Sequence, residues 1–313
     1  MAEFITPLSV VDDEDNEPAA VVDTIAVQGS PNRLVINQAG TRLYVASATL
    51  PQAITVIDTA SRSVINTIDS LGSPIWLALH PNAPRLYVSD NSGATDTPIT
   101  VIDTLTDTVI DSITGFTTVN GMALNSSGSR LYVADEGASE VVIINTSNFL
   151  RIGVTSVVRP VDIAVAPGGA RSHVASQFGN WTSINLGTNN VVTQTDTVAG
   201  VPTTIAHARF SARVYITYSE RGEVVIGDTI TAEVSQILRD LAGPWQVAFN
   251  TMRELAYVTQ TDSNQVGIIN TRTQDVIGAI DGFDKPRGIV VSPDGRTAYV
   301  ANIGNSSVAV VRL

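Results

Sequence analysis

Two arginines, two tryptophans, three aspartates and a few amides stand out in this sequence, because their types suit ligand chemistry and their spacing is regular. Arg33 and Arg287 carry planar guanidinium forks able to grip a carboxylate with two parallel hydrogen bonds. Trp76 and Trp245 would supply an aromatic wall beside them. Asn120, Gln246 and Asn302 add amide donors and acceptors, and Tyr218 adds a phenol. Asp90, Asp135 and Asp162 form a second group whose oxygens suit a hard cation such as Ca²⁺. Asp135 and Asp162 are also the candidates for a catalytic acid and base. Each has a plainer role to set against this: aspartate caps turns, and tryptophan packs between sheets.

What singles these residues out is a repeat. The segment Leu43-Tyr44-Val45-Ala46 recurs with Tyr or His at 44, 87, 132, 173, 215, 257 and 299. Thirteen residues before each lies Pro31, Pro74, Val119, Pro160, Pro202, Pro244 or Pro286, followed by a short apolar run. Turn residues such as Ser292-Pro293-Asp294-Gly295 separate the two runs, so each pair reads as a β-hairpin. A third run ends at a polar turn and a fourth follows, as in Ile54 to Asp58 and then Val64. Four short strands per unit of a little over forty residues, without helical periodicity, predict a blade of a propeller.

The expected fold is therefore an all-β, seven-bladed β-propeller with four-stranded antiparallel blades. The last unit stops in its third strand at Val308 to Val311, while the chain opens with a fourth strand at Val21 to Ile25. That first strand is expected to complete the last blade and close the ring. Residues 21–313 are then one propeller, preceded by an acidic leader at 1–20.

Loop length varies mainly between the second and third strands, above all from Asn91 to Pro98, which marks one face of the disc as the variable face. Two sets of positions are expected there. The pair after each Pro position includes Arg33, Trp76, Asn120, Asp162, Trp245, Gln246 and Arg287, and the residue three after each Tyr includes Asp90, Asp135, Tyr218 and Asn302. Core positions repeat from unit to unit, whereas these do not.

The Tyr-Val-Ala/Thr runs, with strand ends such as Val56-Ile57-Asp58-Thr59 and Val101-Ile102-Asp103-Thr104, resemble the YVTN-repeat β-propellers over residues 21 to 313. That resemblance implies a repeat architecture common in bacterial and archaeal surface proteins, and says little about activity. Virginiamycin B lyases are a distant seven-bladed group using a metal and histidines at the ring mouth. His80, His173 and His207, the only histidines, are not placed to match their acid/base group. Gluconolactonase-like propellers, which hold Ca²⁺ at the channel mouth, are the better enzymatic analogy, without a motif match.

Composition narrows the partners. A net charge of −12, with Asp12 to Glu17 in a leader free of Lys and Arg, argues against nucleic acid. No run reaches the length of a membrane helix, so no membrane span is expected. The absence of cysteine removes disulfides and thiol chemistry. No secretory signal is legible, which points to the cytoplasm for the chain as given and to the cell surface or periplasm if a signal was removed. A monomer is expected. The sequence thus predicts a binding or interaction propeller that recognises a small polar ligand or a peptide loop at the channel mouth. The alternative is a metal-assisted or carboxylate acid/base enzyme of lactonase, lyase or cyclase type at the same place.

Overall fold

Short runs of Val, Ile, Thr and Tyr, bounded by Gly, Asn, Asp and Pro, favour strands because branched and aromatic side chains pack well on a pleated surface. The computed structural model of the chain, which describes residues 17–69, 71–90, 96–195 and 198–313, folds these runs into seven four-stranded antiparallel sheets. We number the sheets as blades 1 to 7 and letter their strands a to d outward from the central channel. Blade 1 comprises Pro31–Ile36, Arg42–Ser47, Ala53–Asp58 and Ser63–Asp69. The a strands of blades 2 to 7 are Pro74–Leu79, Val119–Leu124, Pro160–Val165, Thr204–His207, Pro244–Phe249 and Pro286–Val291. Among the described residues the one helical element is the short turn Ser219–Arg221, so no helix is long and apolar enough to cross a membrane.

The core is not one mass but seven layers, one between each pair of neighbouring blades. Strands b and c are buried on both faces, while strand d is exposed along most of its length. The repeat tyrosine is buried in each layer in which it occurs. Tyr44 packs with Leu77 and Leu86 of blade 2, and Tyr87 with Leu131 and Val133 of blade 3. Burying one such side chain contributes about 1.5–3 kcal/mol, and a blade with two apolar faces needs a neighbour on each side.

The ring closes as expected. Ala20–Ala26 pairs antiparallel with Ser307–Arg312, from Ala20 opposite Arg312 to Ala26 opposite Ser307, and supplies strand d of blade 7. Of the acidic run, residues 12 to 16 lie outside the described residues, and Glu17 forms an ion pair with Arg312.

Polar residues repeat for structural reasons too. Asp58, Asp103, Asn145, Asn185, Asp228 and Asn270 end the c strands, and each side-chain oxygen accepts hydrogen bonds from the backbone N–H groups two or three residues on. These Asx turns let the chain reverse into strand d. On the same face, the arginine two places before the repeat tyrosine reaches the next blade. Arg42 donates to the Thr104 carbonyl at 2.8 Å, Arg85 to Thr146, Arg130 to Leu186 and Arg171 to Thr229. Each ties two adjacent blades through a charged donor.

The layer between blades 4 and 5 departs from the pattern. His173 stands in the tyrosine position and meets His207, ring centroids 5.3 Å apart, where the next layer pairs Tyr215 with Phe249. Trp181 fills the same layer against Gly227, where any Cβ would lie within 3.0 Å of the indole. Burial pushes His173 down to about 3, with His207 and Arg171 adding repulsion, and it lowers His207 as well. His80, by contrast, serves a turn, its Nδ1 accepting from the N–H groups of Asn82 and Ala83.

Two outcomes follow from this architecture. Removing residues 1–26 deletes strand d of blade 7 and should lower the thermal midpoint markedly, measured by circular dichroism; an unchanged melt would mean the ring does not depend on this strand. Acid sensitivity should come in part from the histidine layer. The unfolded chain protonates His173 below about pH 6.5 while the fold resists until about pH 3, so its contribution is complete above pH 6.5 and lost as pH falls through that window. The double variant His173→Tyr/His207→Phe, which copies the next layer, should lose less stability than the parent in denaturant melts between pH 6.5 and 4.

Candidate functional site

Each a strand begins beside the channel, and in six blades its first residues form a β-bulge against strand b, for example between Pro31 and Arg33 and between Pro160 and Asp162. A bulge places two residues opposite one and re-aims their side chains. Hydroxyls at the second position after the tyrosine secure this geometry. Ser89, Thr217 and Thr259 accept hydrogen bonds from the backbone N–H groups of Trp76, Thr204 and Gln246. Thr217 and Thr259 also donate to the carbonyls of Trp245 and Arg287 in the next blade, at 2.8 and 2.6 Å.

A cavity of about 170 Å³ lies where these bulges converge, lined by Arg33, Trp76, Met122, Asp162, Thr204 and Gln246 from six successive blades. Glycine occupies the corresponding place in the third blade and the seventh. A Cβ on Gly121 would lie 2.6 Å from the Asp162 Cα, and one on Gly288 would lie 2.7 Å from the Asn32 carbonyl oxygen. Only glycine allows neighbouring backbones to approach this closely.

Arg33 is the central feature. Its guanidinium stacks on Trp76, 3.5 Å from the ring centroid, and the residue is 7% exposed. No ion pair or hydrogen bond satisfies its side chain among the described residues. Burial pushes it down to about 10, opposed by Asp162 and reinforced by the charge of Arg287. Arg287 stacks on Trp245 at 4.1 Å and donates a long hydrogen bond to Asn32 Oδ1. The Arg287 Nε and the Trp245 Nε1 are buried donors without an acceptor. Burial lowers Arg287 too.

Asp162 faces the same cavity. Its two oxygens accept from the backbone N–H groups of Ile163 (2.7 Å) and Ile205 (2.9 Å). Burial outweighs those bonds and the charge of Arg33, raising its carboxyl to about 6. Gln246 is held through Oε1 by the N–H of Ile289 at 3.2 Å, which leaves its NH₂ group for the cavity.

The set expected from sequence therefore divides. Arg33, Trp76, Asp162 and Gln246 share one cavity, and Trp245 with Arg287 stands next to it. Asn120 is turned away to Glu136 (2.5 Å), which is itself clamped by Arg159. The positions three after each tyrosine face the loop that enters strand a rather than the channel. Asp135 accepts from the N–H groups of Thr117 and Thr118, Asp90 from Ser73, Gln260 from Ala242 and Asn302 from Asp284. Tyr218 is buried between blades 4 and 5, its hydroxyl donating to the Gly179 carbonyl, and burial raises it. Asp90, Asp135 and Asp162 are thus not brought together, and no cluster of three metal-ligating side chains occurs among the described residues. Most of the variable loop, residues 91–95, lies outside the described residues.

The bulge hydroxyls and Glu136 were missed in sequence. The hydroxyls had a faint signal, since Ser89, Thr217 and Thr259 replace the Ala46 of the first unit; Glu136 had none.

No family model matches the chain. A 91-residue segment is 36% identical to protein YncE of Salmonella typhimurium, covering 28% of this chain and 25% of that protein, and 35% identical to its Salmonella typhi counterpart over the same shares. A 70-residue segment is 30% identical to antigen Lp49 of Leptospira interrogans, covering 22% of this chain and 15% of that protein. The matched segments thus span a quarter or less of those relatives. Among solved structures, the chain is similar to Kuenenia stuttgartiensis hydrazine synthase, with a TM-score of 0.81 and 16% identity over 99% of both chains. It is also similar to the β-propeller domain of Myceliophteria thermophila Cps50 (Swd1), with a TM-score of 0.80 and 11% identity over 95% of this chain and all of that one. At these identities the likeness establishes the propeller fold and nothing finer.

Proposed function

We propose that the protein is a binding propeller whose channel holds a small organic anion, gripped through a carboxylate by Arg33 and approached by Arg287. The observation that carries this is the buried, unpaired guanidinium of Arg33 lining a cavity. A buried charge without a partner is strongly unfavourable, and an anionic ligand would supply the missing partner. Stacking on Trp76 covers one face of the fork and leaves its N–H edge free to donate in the plane. Arg287, stacked on Trp245, adds its charge beside Arg33 and makes the neighbourhood more positive. A peptide loop ending in a carboxylate side chain has the same chemistry and remains within the proposal. So does membership of the YVTN-repeat class, which the recurring Tyr-Val-Ala/Thr runs support.

Calorimetric titration with a panel of small carboxylates should find ligands for the parent protein. Arg33→Met should weaken them by roughly 2 kcal/mol or more, about thirtyfold, while leaving thermal stability unchanged or raised, because it removes an unpaired buried charge. Loss of stability with unchanged affinity would reverse the assignment and make Arg33 structural.

One observation favours a second function. A carboxyl raised to about 6 inside the cavity is suited to general acid/base work near neutral pH, and Asp162 has it. Lactone or lyase substrates that fit the cavity would then turn over with a limb near pH 6 that disappears in Asp162→Asn. Binding without turnover in the parent would leave Asp162 a ligand-positioning group.

A further inference from the structure

Arg33 and Asp162 come from the first and fourth of seven blades, so they approach the cavity from opposed arcs of the ring. They influence each other electrostatically, yet they form no ion pair. Two opposite charges, each nine-tenths or more buried, thus face one space without touching across it. Neither side chain is free to swing over. Arg33 is stacked on Trp76, and Asp162 is fixed by two backbone N–H groups.

Each Asp162 oxygen accepts one backbone hydrogen bond, and a carboxylate has about four acceptor sites, so half its capacity remains for the cavity. Two other lining groups offer donors: the Arg33 fork and, from the sixth blade, the Gln246 NH₂ group, whose Oε1 is anchored on the Ile289 N–H. A ligand that satisfies both arcs must carry an anionic acceptor at one end and a cationic donor at the other.

We propose that the ligand is a small zwitterion of the α-amino acid class, its carboxylate on Arg33 and Gln246 and its ammonium on Asp162; this rests on the anion-binding role proposed above. A plain carboxylate would leave the buried Asp162 charge with its two backbone N–H groups and no cation, and an amine alone would leave Arg33 with no acceptor. Both ends are held rigid before binding, which reduces the ordering that the ligand must otherwise drive.

Paired titrations on the full chain test this without any variant. Alanine is compared with propionate and with ethylamine, and aspartate with succinate. The amino acid should bind more tightly than its deaminated partner by about tenfold or more, the size of a hydrogen bond to a charged group. Asp162→Asn should abolish that preference while the deaminated acid still binds, and Arg33→Gln should weaken both. Equal affinity for alanine and propionate, and for aspartate and succinate, would overturn the zwitterion while leaving the anion-binding role intact. Failure of every carboxylate to bind, with or without the amine, would overturn both.

Discussion

The constraint on which this structure rests is that no blade can bury its own apolar surface. The b and c strands are covered on both faces, and the cover always comes from the neighbouring blades. Stability is therefore a property of the closed ring, and one missing edge would expose a face on each side of the gap. This explains why the chain ends pair with each other through Ala20–Ala26 and Ser307–Arg312, so that the seventh blade is made from both. It also fixes the channel. With the repeat tyrosines buried between blades, the first residues of every a strand must arrive at the axis in nearly the same way, whatever their side chains are.

That uniform arrival is what made the architecture legible from sequence. The constant offset from Pro31 to Tyr44, repeated to Pro286 and Tyr299, reports the bulge, the hairpin and the inter-blade layer together. It also located Arg33, Trp76, Asp162 and Gln246, because the positions after the Pro vary while the core around them does not. The same reasoning misplaced the positions three after the tyrosine. Asp90, Asp135, Gln260 and Asn302 differ in type but perform one task, accepting a hydrogen bond from the loop 17 or 18 residues earlier. Variation there is among side chains that are interchangeable as acceptors for that loop. Tyr218 was hidden by compensation of another kind, since the layer it fills was already rebuilt around His173, Trp181 and Gly227.

Repetition misled in the opposite direction. Arg42, Arg85, Arg130 and Arg171 recur so regularly before the tyrosine that they carried no signal, yet each spans to the carbonyl of a neighbouring blade. They are the structural use of arginine in this protein: partly buried, paired, and on the face opposite the channel bulges. The blade 5 counterpart, Arg213, reaches the next blade through a side chain instead, donating to the Gln274 amide oxygen at 2.9 and 3.1 Å, and Leu255 and Thr297 stand in place of the arginine in blades 6 and 7. The ties thus join blades 1 to 6 in succession.

Arg33 and Arg287 show the other use of the same side chain. A guanidinium gains from burial only when its donors find acceptors, and the ties on the opposite face meet that condition through backbone carbonyls. In the channel the carbonyls of Trp245 and Arg287 are already taken by Thr217 and Thr259, and the stacking tryptophans offer Arg33 and Arg287 a face but no lone pair. The fold therefore holds two buried cations beside the axis, with the charge of Arg287 felt at Arg33 and one fixed carboxylate facing the same cavity as Arg33. A hydrophobic side chain at Arg33 would satisfy the ring better, as Met122 does in the third blade, whereas Asp162 serves the ring by accepting from the N–H groups of Ile163 and Ile205. That the channel keeps an unpaired charge at Arg33, where packing would favour an apolar group, is the physical ground for the ligand proposed above, because a bound anion would recover the stability given up there.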